Sequence, residues 1–326
     1  IYTAPDGKSA AYAAENVPLK PKHVLPISMK GLKEGDYTMV MGYPGTTNRY
    51  LTSANLASNL NNYNQAIIDM FGARMGAYKE DMDADAKIRI ALASTYASGM
   101  NTYKYFIGQS LGLRKDGLVE KKAAYEAELQ KWIDADADRK AQWGNVLSSL
   151  NKDIAAFGPI NREYLYFLFA FVNQPFARFN QQLGGLKGLL GEKKPDAAKV
   201  KESTDKLMEG LDDMYEEYFA GTEEKVLAAV LKVYHRETPA DKQPAFFKEL
   251  LAKTKGADTN AKLDQIAADV YRKSVLTSRD RMEAFLRKPS KKVLDKDPAV
   301  KLADEAMKHF STTLAPANQG AQANLA

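Results

Sequence analysis

A polar pair beside an apolar stripe is the strongest candidate for binding chemistry in this sequence. Asn101 and Lys104 lie three residues apart, so they share one face of a helix, next to apolar Met100 and Tyr103. The carbonyl oxygen of an asparagine side chain is a good acceptor for an ammonium group. Gly99 would let a second backbone approach this region closely. From these residues alone an ordinary polar helix flank is the favoured interpretation, and an amine-binding site at Asn101 is the alternative.

Catalytic chemistry is only weakly indicated. The three histidines are His23, His235 and His309. His23 lies among prolines, and the other two lie near predicted helix ends, where the helix dipole favours an imidazolium. A general base needs a nucleophile within reach, and no serine lies in a nucleophile elbow. The sequence therefore predicts no catalytic residue in this chain, although a helical enzyme that uses His235 or His309 with carboxylates is a third possibility.

Metal and phosphate sites are also not predicted. Residues 81–85 and 134–138 resemble the start of a calcium loop, but both lack the glycine at position six and the glutamate at position twelve. Gly184, Gly185 and Gly188 lack the preceding strand and the following Gly-Lys-Ser/Thr of a phosphate-binding loop. With no cysteine in the chain, thiolate ligands are excluded. We expect no metal and no cofactor.

Composition narrows the class of partner. The chain has 326 residues, 45% hydrophobic and 27% charged, which is ordinary for a globular protein. The net charge of +5 is spread among acidic residues without basic blocks, so we expect no nucleic-acid partner. No apolar run approaches the ~18 residues that a membrane-spanning helix needs, so we expect no membrane span.

The elements that would position Asn101 fall into two parts. Residues 1–50 are rich in Pro and Gly, and we predict strands at 23–28 and 37–43, the second running into a Tyr43-Pro44-Gly45 turn. Two or three strands do not form a stable unit alone, so these need strands from outside this chain. Because the chain starts at Ile1 within apparent strand, we expect it to come from a longer protein.

The rest of the chain is predicted to be helical. Ser53 is a candidate N-cap, and apolar residues then recur every three or four positions. We predict a break at Gly158-Pro159, buried packing of the aromatic-rich residues 164–179, a loop at 184–195 and a frayed tail at 315–326. The fold class is mainly α, with a helical domain at 51–314 and a short N-terminal β segment.

Two groups of segments together resemble the bacterial dipeptidyl-peptidase 7 and dipeptidyl-peptidase 11 family of serine exopeptidases. The first group contains Gly42-Tyr43-Pro44-Gly45, and the second contains Asn101-Thr102-Tyr103-Lys104. Their full extents are 16–21, 27–31 and 42–50 for the first group, and 93–104, 107–108 and 112–113 for the second.

This resemblance implies a chymotrypsin-like double β-barrel with a helical cap domain inserted into it. Residues 1–50 would be a barrel segment, and the helical region would cap the cleft. We also expect a hinge near residues 46–53 that lets this cap gate the cleft, as lids commonly do. The resemblance also implies that Asn101 binds the α-amino group of the peptide. The Ser-His-Asp triad would lie outside this chain, so the chain alone would be inactive. Further implications are a peptide substrate, contact with the rest of the barrel, a homodimer, and a periplasmic or secreted location. The alternative from another class is a non-enzymatic helical scaffold or binding protein, with residues 1–50 packed on the helices.

Overall fold

The computed structural model describes residues 1–39, 41–42 and 45–325. It divides into two compact units, an N-terminal segment (Ile1–Arg49) and a helical unit (Tyr50–Ala326). Within the described residues the only sheet has two short strands, and almost all other regular structure is helical. The prediction of a mainly α protein with a short N-terminal β segment is confirmed.

The N-terminal segment is held by a small antiparallel ladder. Strands β1 (Tyr2–Thr3) and β2 (Val17–Pro18) pair with Thr3 opposite Val17. The strand predicted at 23–28 is wrong, because none of its residues belongs to a strand. A strand requires a partner for its backbone groups, and this segment offers none there.

The second predicted strand, at 37–43, also does not form in its described residues. Val40, Tyr43 and Pro44 lie outside the described residues, and with them most of the predicted Tyr43-Pro44-Gly45 turn. The apolar side chain of Met41 is 89% exposed, so no sheet or core covers this residue.

The helical unit begins at a capped N-terminus and continues to the end of the described chain. Short π-helical turns occur at Asn59–Tyr63, Leu168–Val172 and Phe310–Leu314. The α-helices are α1 (Ser53–Ser58), α2 (Asn64–Ala84), α3 (Ala86–Ala91), α4 (Ala93–Lys115), α5 (Leu118–Asp134), α6 (Ala137–Trp143), α7 (Val146–Phe167), α8 (Pro175–Gln182), α9 (Gly184–Gly191), α10 (Ala197–Glu209), α11 (Leu211–Tyr215), α12 (Ala220–Glu237), α13 (Ala245–Lys253), α14 (Thr259–Lys273), α15 (Arg279–Arg287), α16 (Lys291–Leu294), α17 (Pro298–His309) and α18 (Ala315–Ala323).

The core is organised around α2 and α12. Helix α2 packs on both α4 and α12, and α12 packs in turn on α14. The aromatic residues predicted to be buried form its centre, where the ring of Phe171 lies 4.8 Å from Phe167 and 5.0 Å from Tyr234 between centroids. All three side chains are at most 1% exposed. Each such burial contributes roughly 1.5–3 kcal/mol, so this cluster supplies a large share of the packing free energy.

The predicted helix break at Gly158-Pro159 is wrong, because α7 continues through both residues. Gly158 is buried against the first turns of the unit, and a Cβ atom there would lie 2.5 Å from Nδ2 of Asn62. Pro159 lacks an amide hydrogen, so the carbonyl of Ala155 loses its helical partner. Ala155 is exposed, so water can satisfy that carbonyl and the helix survives.

The predicted loop at 184–195 and the predicted frayed tail at 315–326 both contain helix. Helix α9 forms because Leu183 and Leu186 are buried, at 0% and 1% exposure, and their burial outweighs the low helix propensity of the glycines. In the C-terminal stretch, α18 packs on α7 and is therefore held by tertiary contacts.

Candidate functional site

Asn101 lies in the middle of α4 with its side chain exposed to solvent. Gly99 and Tyr103, two positions before and after it, face α2. Two residues correspond to about 200° around a helix, so Asn101 lies on the opposite side of α4 from this interface. Lys104, one turn further on, is exposed as well. The structure therefore places the predicted pair together on one free helix face.

The interface between α4 and α2 fixes the orientation of that face. A Cβ atom at residue 99 would overlap Sδ of Met75, and one at residue 72 would lie 3.1 Å from Cε2 of Tyr103. Gly99 and Gly72 therefore each accept a side chain from the other helix. The predicted approach of a second backbone at Gly99 is wrong, because the group that lies against Gly99 is the Met75 side chain.

The carboxamide of Asn101 makes no hydrogen bond to any described residue. Tyr105, one turn further along α4, is 57% exposed and offers apolar surface beside it. A free carbonyl oxygen beside exposed apolar surface can accept a hydrogen bond from an ammonium group while the chain that follows lies on the apolar side chains. The geometry fits recognition of an amine at the end of an extended ligand.

The histidines do not form a catalytic constellation. His23 is exposed in the N-terminal segment, while His235 and His309 are partly buried at the ends of α12 and α17. Burial lowers the pKa of His309, whose ring lies 5.1 Å from that of Phe167. Within the described ranges neither ring is hydrogen-bonded to a carboxylate. A helical enzyme acting through either residue has no support.

The aspartate-rich segments have structural roles. Asp85 and Asp136 cap the N-termini of α3 and α6 through their side chains. Over the part of the chain that the structure describes, no group of three or more His, Asp or Glu residues is arranged to hold a metal ion. In the same residues, no helix has the length and hydropathy needed to cross a membrane.

A buried polar cluster lies between α2 and α12, and the sequence did not predict it. The hydroxyl of Tyr78 donates a 2.8 Å hydrogen bond to Oε1 of Glu223, and Nη2 of Arg74 donates to the same hydroxyl at 3.2 Å. Burial, and then the Glu223 charge, raise the pKa of Tyr78 to about 12. Burial also raises the pKa of Glu223, against the opposing charge of Arg74. In the sequence Glu223 is an ordinary acidic residue at the start of a helix, so no pattern predicts its place in this cluster.

Comparison with known proteins identifies the family. The model of the family described as Peptidase S46 matches residues 1–326. The chain belongs to the peptidase S46 family. The resemblance drawn from the two groups of segments is thereby confirmed.

Two S46 relatives illustrate the range of similarity. Dipeptidyl-peptidase 7 of Porphyromonas gingivalis is 35% identical over 308 residues, covering 93% of this chain and 41% of that protein. An Asp/Glu-specific dipeptidyl-peptidase of Flavobacterium psychrophilum is 30% identical over 321 residues, covering 97% and 43%. This chain therefore spans less than half the length of these S46 relatives.

The structural similarity agrees with the family assignment. A crystal structure of Porphyromonas endodontalis DPP11 in complex with the dipeptide Arg-Glu matches with a TM-score of 0.74 and 25% identity. The match covers 100% of this chain and 46% of that one. The fold of this chain is therefore similar to that of the matching part of this DPP11 structure.

Proposed function

We propose that this chain is part of a serine dipeptidyl peptidase that releases dipeptides from the N-termini of peptides. The S46 family match and the names of the relatives support this proposal. In it, residues 1–50 belong to a chymotrypsin-like barrel, residues 51–314 are the helical cap and residues 315–326 are a C-terminal tail. The Ser-His-Asp triad is supplied by sequence outside this chain: the serine attacks the scissile carbonyl while the histidine moves the proton.

Asn101 is proposed to bind the α-amino group of the substrate. The observation that carries this role is its exposed carboxamide, which has no partner among the described residues, on the face of α4 that the α2 interface leaves free. An acceptor that recognises the chain terminus fixes how many residues enter the cleft. This is the property that an enzyme releasing dipeptides requires.

The cap is also proposed to gate the cleft through a hinge. Thr52 caps α1 through a capping box with Asn55. The backbone N–H and the hydroxyl of Ser53 both donate 2.6 Å hydrogen bonds to the carboxylate of Glu126 in α5. Residues from Thr52 onward are therefore tied to the helical unit, which narrows the proposed hinge from 46–53 to 46–51.

The N-terminal segment is proposed to complete its sheet with the remainder of the barrel. Ile27 and Met29 are 87% and 91% exposed, and Tyr37 is 85% exposed. Large apolar side chains at such exposure are typical of surface that a partner covers. The scaffold alternative predicts instead that residues 1–50 pack on the helices and bury their own strand edges. A homodimer and a periplasmic or secreted location are further parts of the proposal, and they rest on the family resemblance alone.

The test compares hydrolysis by the full-length protein and by residues 1–326 alone. A chromogenic dipeptidyl substrate with a free amine is offered to both at equal concentration. We expect turnover by the full-length protein and none by residues 1–326, because the triad lies outside them. Turnover by residues 1–326 would contradict the proposal that the triad lies outside them. No turnover by either protein would contradict the peptidase assignment.

A further inference from the structure

A recessed apolar cavity lies between α13, α14 and α17. Helix α14 packs on both of the other helices, and all three contribute to the cavity walls. The volume of the cavity is about 280 Å³. A methylene group occupies about as much volume as a water molecule, ~30 Å³, so the cavity holds about nine non-hydrogen atoms. Its apolar lining consists of Phe246, Leu250, Ile266, Val270, Pro298 and Leu302.

The apolar lining is recessed and still accessible. Three of its side chains are half-buried and offer surface to a ligand, namely Phe246, Leu250 and Pro298. The other three close the floor and are at most 5% exposed. Phe246 belongs to both the cavity and the core, since its ring lies 5.7 Å from that of Phe171 between centroids. A narrow apolar molecule can enter such a depression, whereas the flat surface of a folded protein cannot.

Two lysines give the mouth of the cavity a positive charge. Lys296 and Lys301 line the cavity, and both are exposed to solvent. Among the described residues, neither ammonium group forms an ion pair with a carboxylate. Because the four-carbon stem of lysine is flexible, an ammonium group that no carboxylate holds can reach over the mouth. Both charges are therefore available to a ligand.

The acidic residues of the lining cancel only part of this charge. Asp269 pairs with Nζ of Lys273 at 2.7 Å and accepts a 2.8 Å hydrogen bond from Nε2 of Gln265. Glu305 is exposed and has no ion pair within the described ranges. Since Lys273 balances Asp269, the two lysines at the mouth exceed Glu305 by one positive charge. The cavity therefore complements a ligand with one negative charge and an apolar body.

We propose that this cavity binds a medium-chain fatty acid, with its alkyl chain on the apolar walls and its carboxylate at Lys296 and Lys301. An acid of about eight carbons matches the cavity volume when the carboxylate remains at the mouth. A neutral alcohol of the same length would fill the walls and leave the lysines without a partner. No residue of α4 lines the cavity, so the site shares no residue with the proposed site at Asn101. It does not depend on the peptidase assignment.

The test is isothermal titration calorimetry on the full-length protein, with sodium octanoate below its micelle concentration as the probe. Hexanoate shortens the alkyl chain, and octan-1-ol removes the charge. Each buried methylene strengthens binding about fourfold, so hexanoate should bind about ten- to twentyfold more weakly than octanoate. Octan-1-ol should bind about fivefold more weakly or worse, since it forms no ion pair. No binding of octanoate at millimolar concentration would overturn the proposal, and equal affinities for octanoate and octan-1-ol would overturn the role of the lysines.

Variants locate the binding event. The double variant Lys296→Gln/Lys301→Gln should weaken octanoate binding about fivefold or more and leave octan-1-ol within about twofold of wild type. Lys292→Gln is the matched control, because Lys292 is exposed and does not line the cavity. Leu250→Phe places a larger side chain in the cavity and should weaken octanoate binding about tenfold or more, with thermal unfolding used to confirm that it folds.

Asn101→Ala should retain octanoate binding whatever its effect on substrate KM, so the two proposals fail separately. Unchanged octanoate binding in the double lysine variant and in folded Leu250→Phe would overturn the site, because the acid would then bind to other apolar surface.

Discussion

The thioether of Met75 fills the space that a side chain at Gly99 would occupy, with its sulfur overlapping the position of a Cβ atom. Met75 is 4% exposed, so it has little room to withdraw. This contact sets how closely α2 and α4 approach, and it thereby orients the opposite face of α4, where Asn101 lies. The absence of a side chain at Gly99 is therefore a condition for the proposed site at Asn101.

Gly99→Leu should destabilise the protein by about 2–3 kcal/mol, because overpacking forces the two helices apart. Gly76→Leu is the control: Gly76 is an exposed residue of α2 with nothing within 4 Å of an added Cβ. There leucine should be neutral or slightly stabilising, since glycine is a poor helix former. The free energy of unfolding of both variants is measured in urea. Equal values would show that the helix interface tolerates the added side chain.

Asp297 joins the start of α17 to the segment after α14. Its Oδ1 accepts hydrogen bonds from the hydroxyl of Ser274 at 2.7 Å and from two amide N–H groups of α17 at 2.9 and 3.0 Å. Its Oδ2 accepts from the amide of Val275 at 2.7 Å. The side chain is buried at 5% exposure, so water cannot replace these bonds.

Asp297→Ala should therefore lower the free energy of unfolding by about 3 kcal/mol, since the helix cap and a buried donor at Ser274 lose their partner together. Asp295→Ala is the matched control, because its carboxylate is 55% exposed and forms an ion pair with Lys291 at the surface. We expect that change to stay within about 0.5 kcal/mol. Similar losses in the two variants, measured by denaturant unfolding, would refute the special role of Asp297.

The buried carboxyl of Glu223 should make stability depend on pH. Burial raises its pKa above the ordinary value of 4.5 in the folded state, so the folded protein holds this proton more tightly than the unfolded chain. Its contribution to stability is then fully present below the unfolded pKa and is lost as the pH rises through the folded pKa. We expect the unfolding free energy of wild type, relative to Glu223→Gln, to fall as the pH rises from 4.5 towards neutrality.

Denaturant unfolding across that pH range provides the measurement. Glu224→Gln should follow the wild-type curve in this respect, because Glu224 pairs with Arg272 at the surface. A difference between wild type and Glu223→Gln that stays constant with pH would mean that the carboxyl titrates alike in both states.

Sequence patterns predicted what depends on local periodicity. The three- and four-residue spacing of apolar residues predicted α2 and α4. The density of aromatic residues predicted the buried centre around Phe171. Asn101 could be placed on a helix face because residue spacing alone determines which side chains share a face. The family could be predicted because the segments typical of it can be recognised in this sequence.

Features set by tertiary contacts could not be predicted in the same way. Gly158 and Pro159 have a local preference for a break, but the packing of Gly158 against Asn62 outweighs it. The helix at α9 likewise depends on the burial of Leu186. Leu250 and Leu302 lie 52 positions apart in the chain numbering, and only the fold brings them to one cavity.

The central claim is that Asn101 recognises the α-amino group of a peptide substrate. It is tested by steady-state kinetics of full-length wild type and Asn101→Ala on a dipeptidyl substrate with a free amine. A hydrogen bond to a charged group contributes about 1.5–3 kcal/mol, so KM should rise about ten- to hundredfold. We expect kcat to change little, because the bond is present in both the ground state and the transition state.

Asn61→Ala is the matched control, since Asn61 is an exposed asparagine of the π-helical turn before α2. It should leave KM at the wild-type value. A KM for Asn101→Ala that is also equal to wild type would contradict the assignment of Asn101 to the substrate amine.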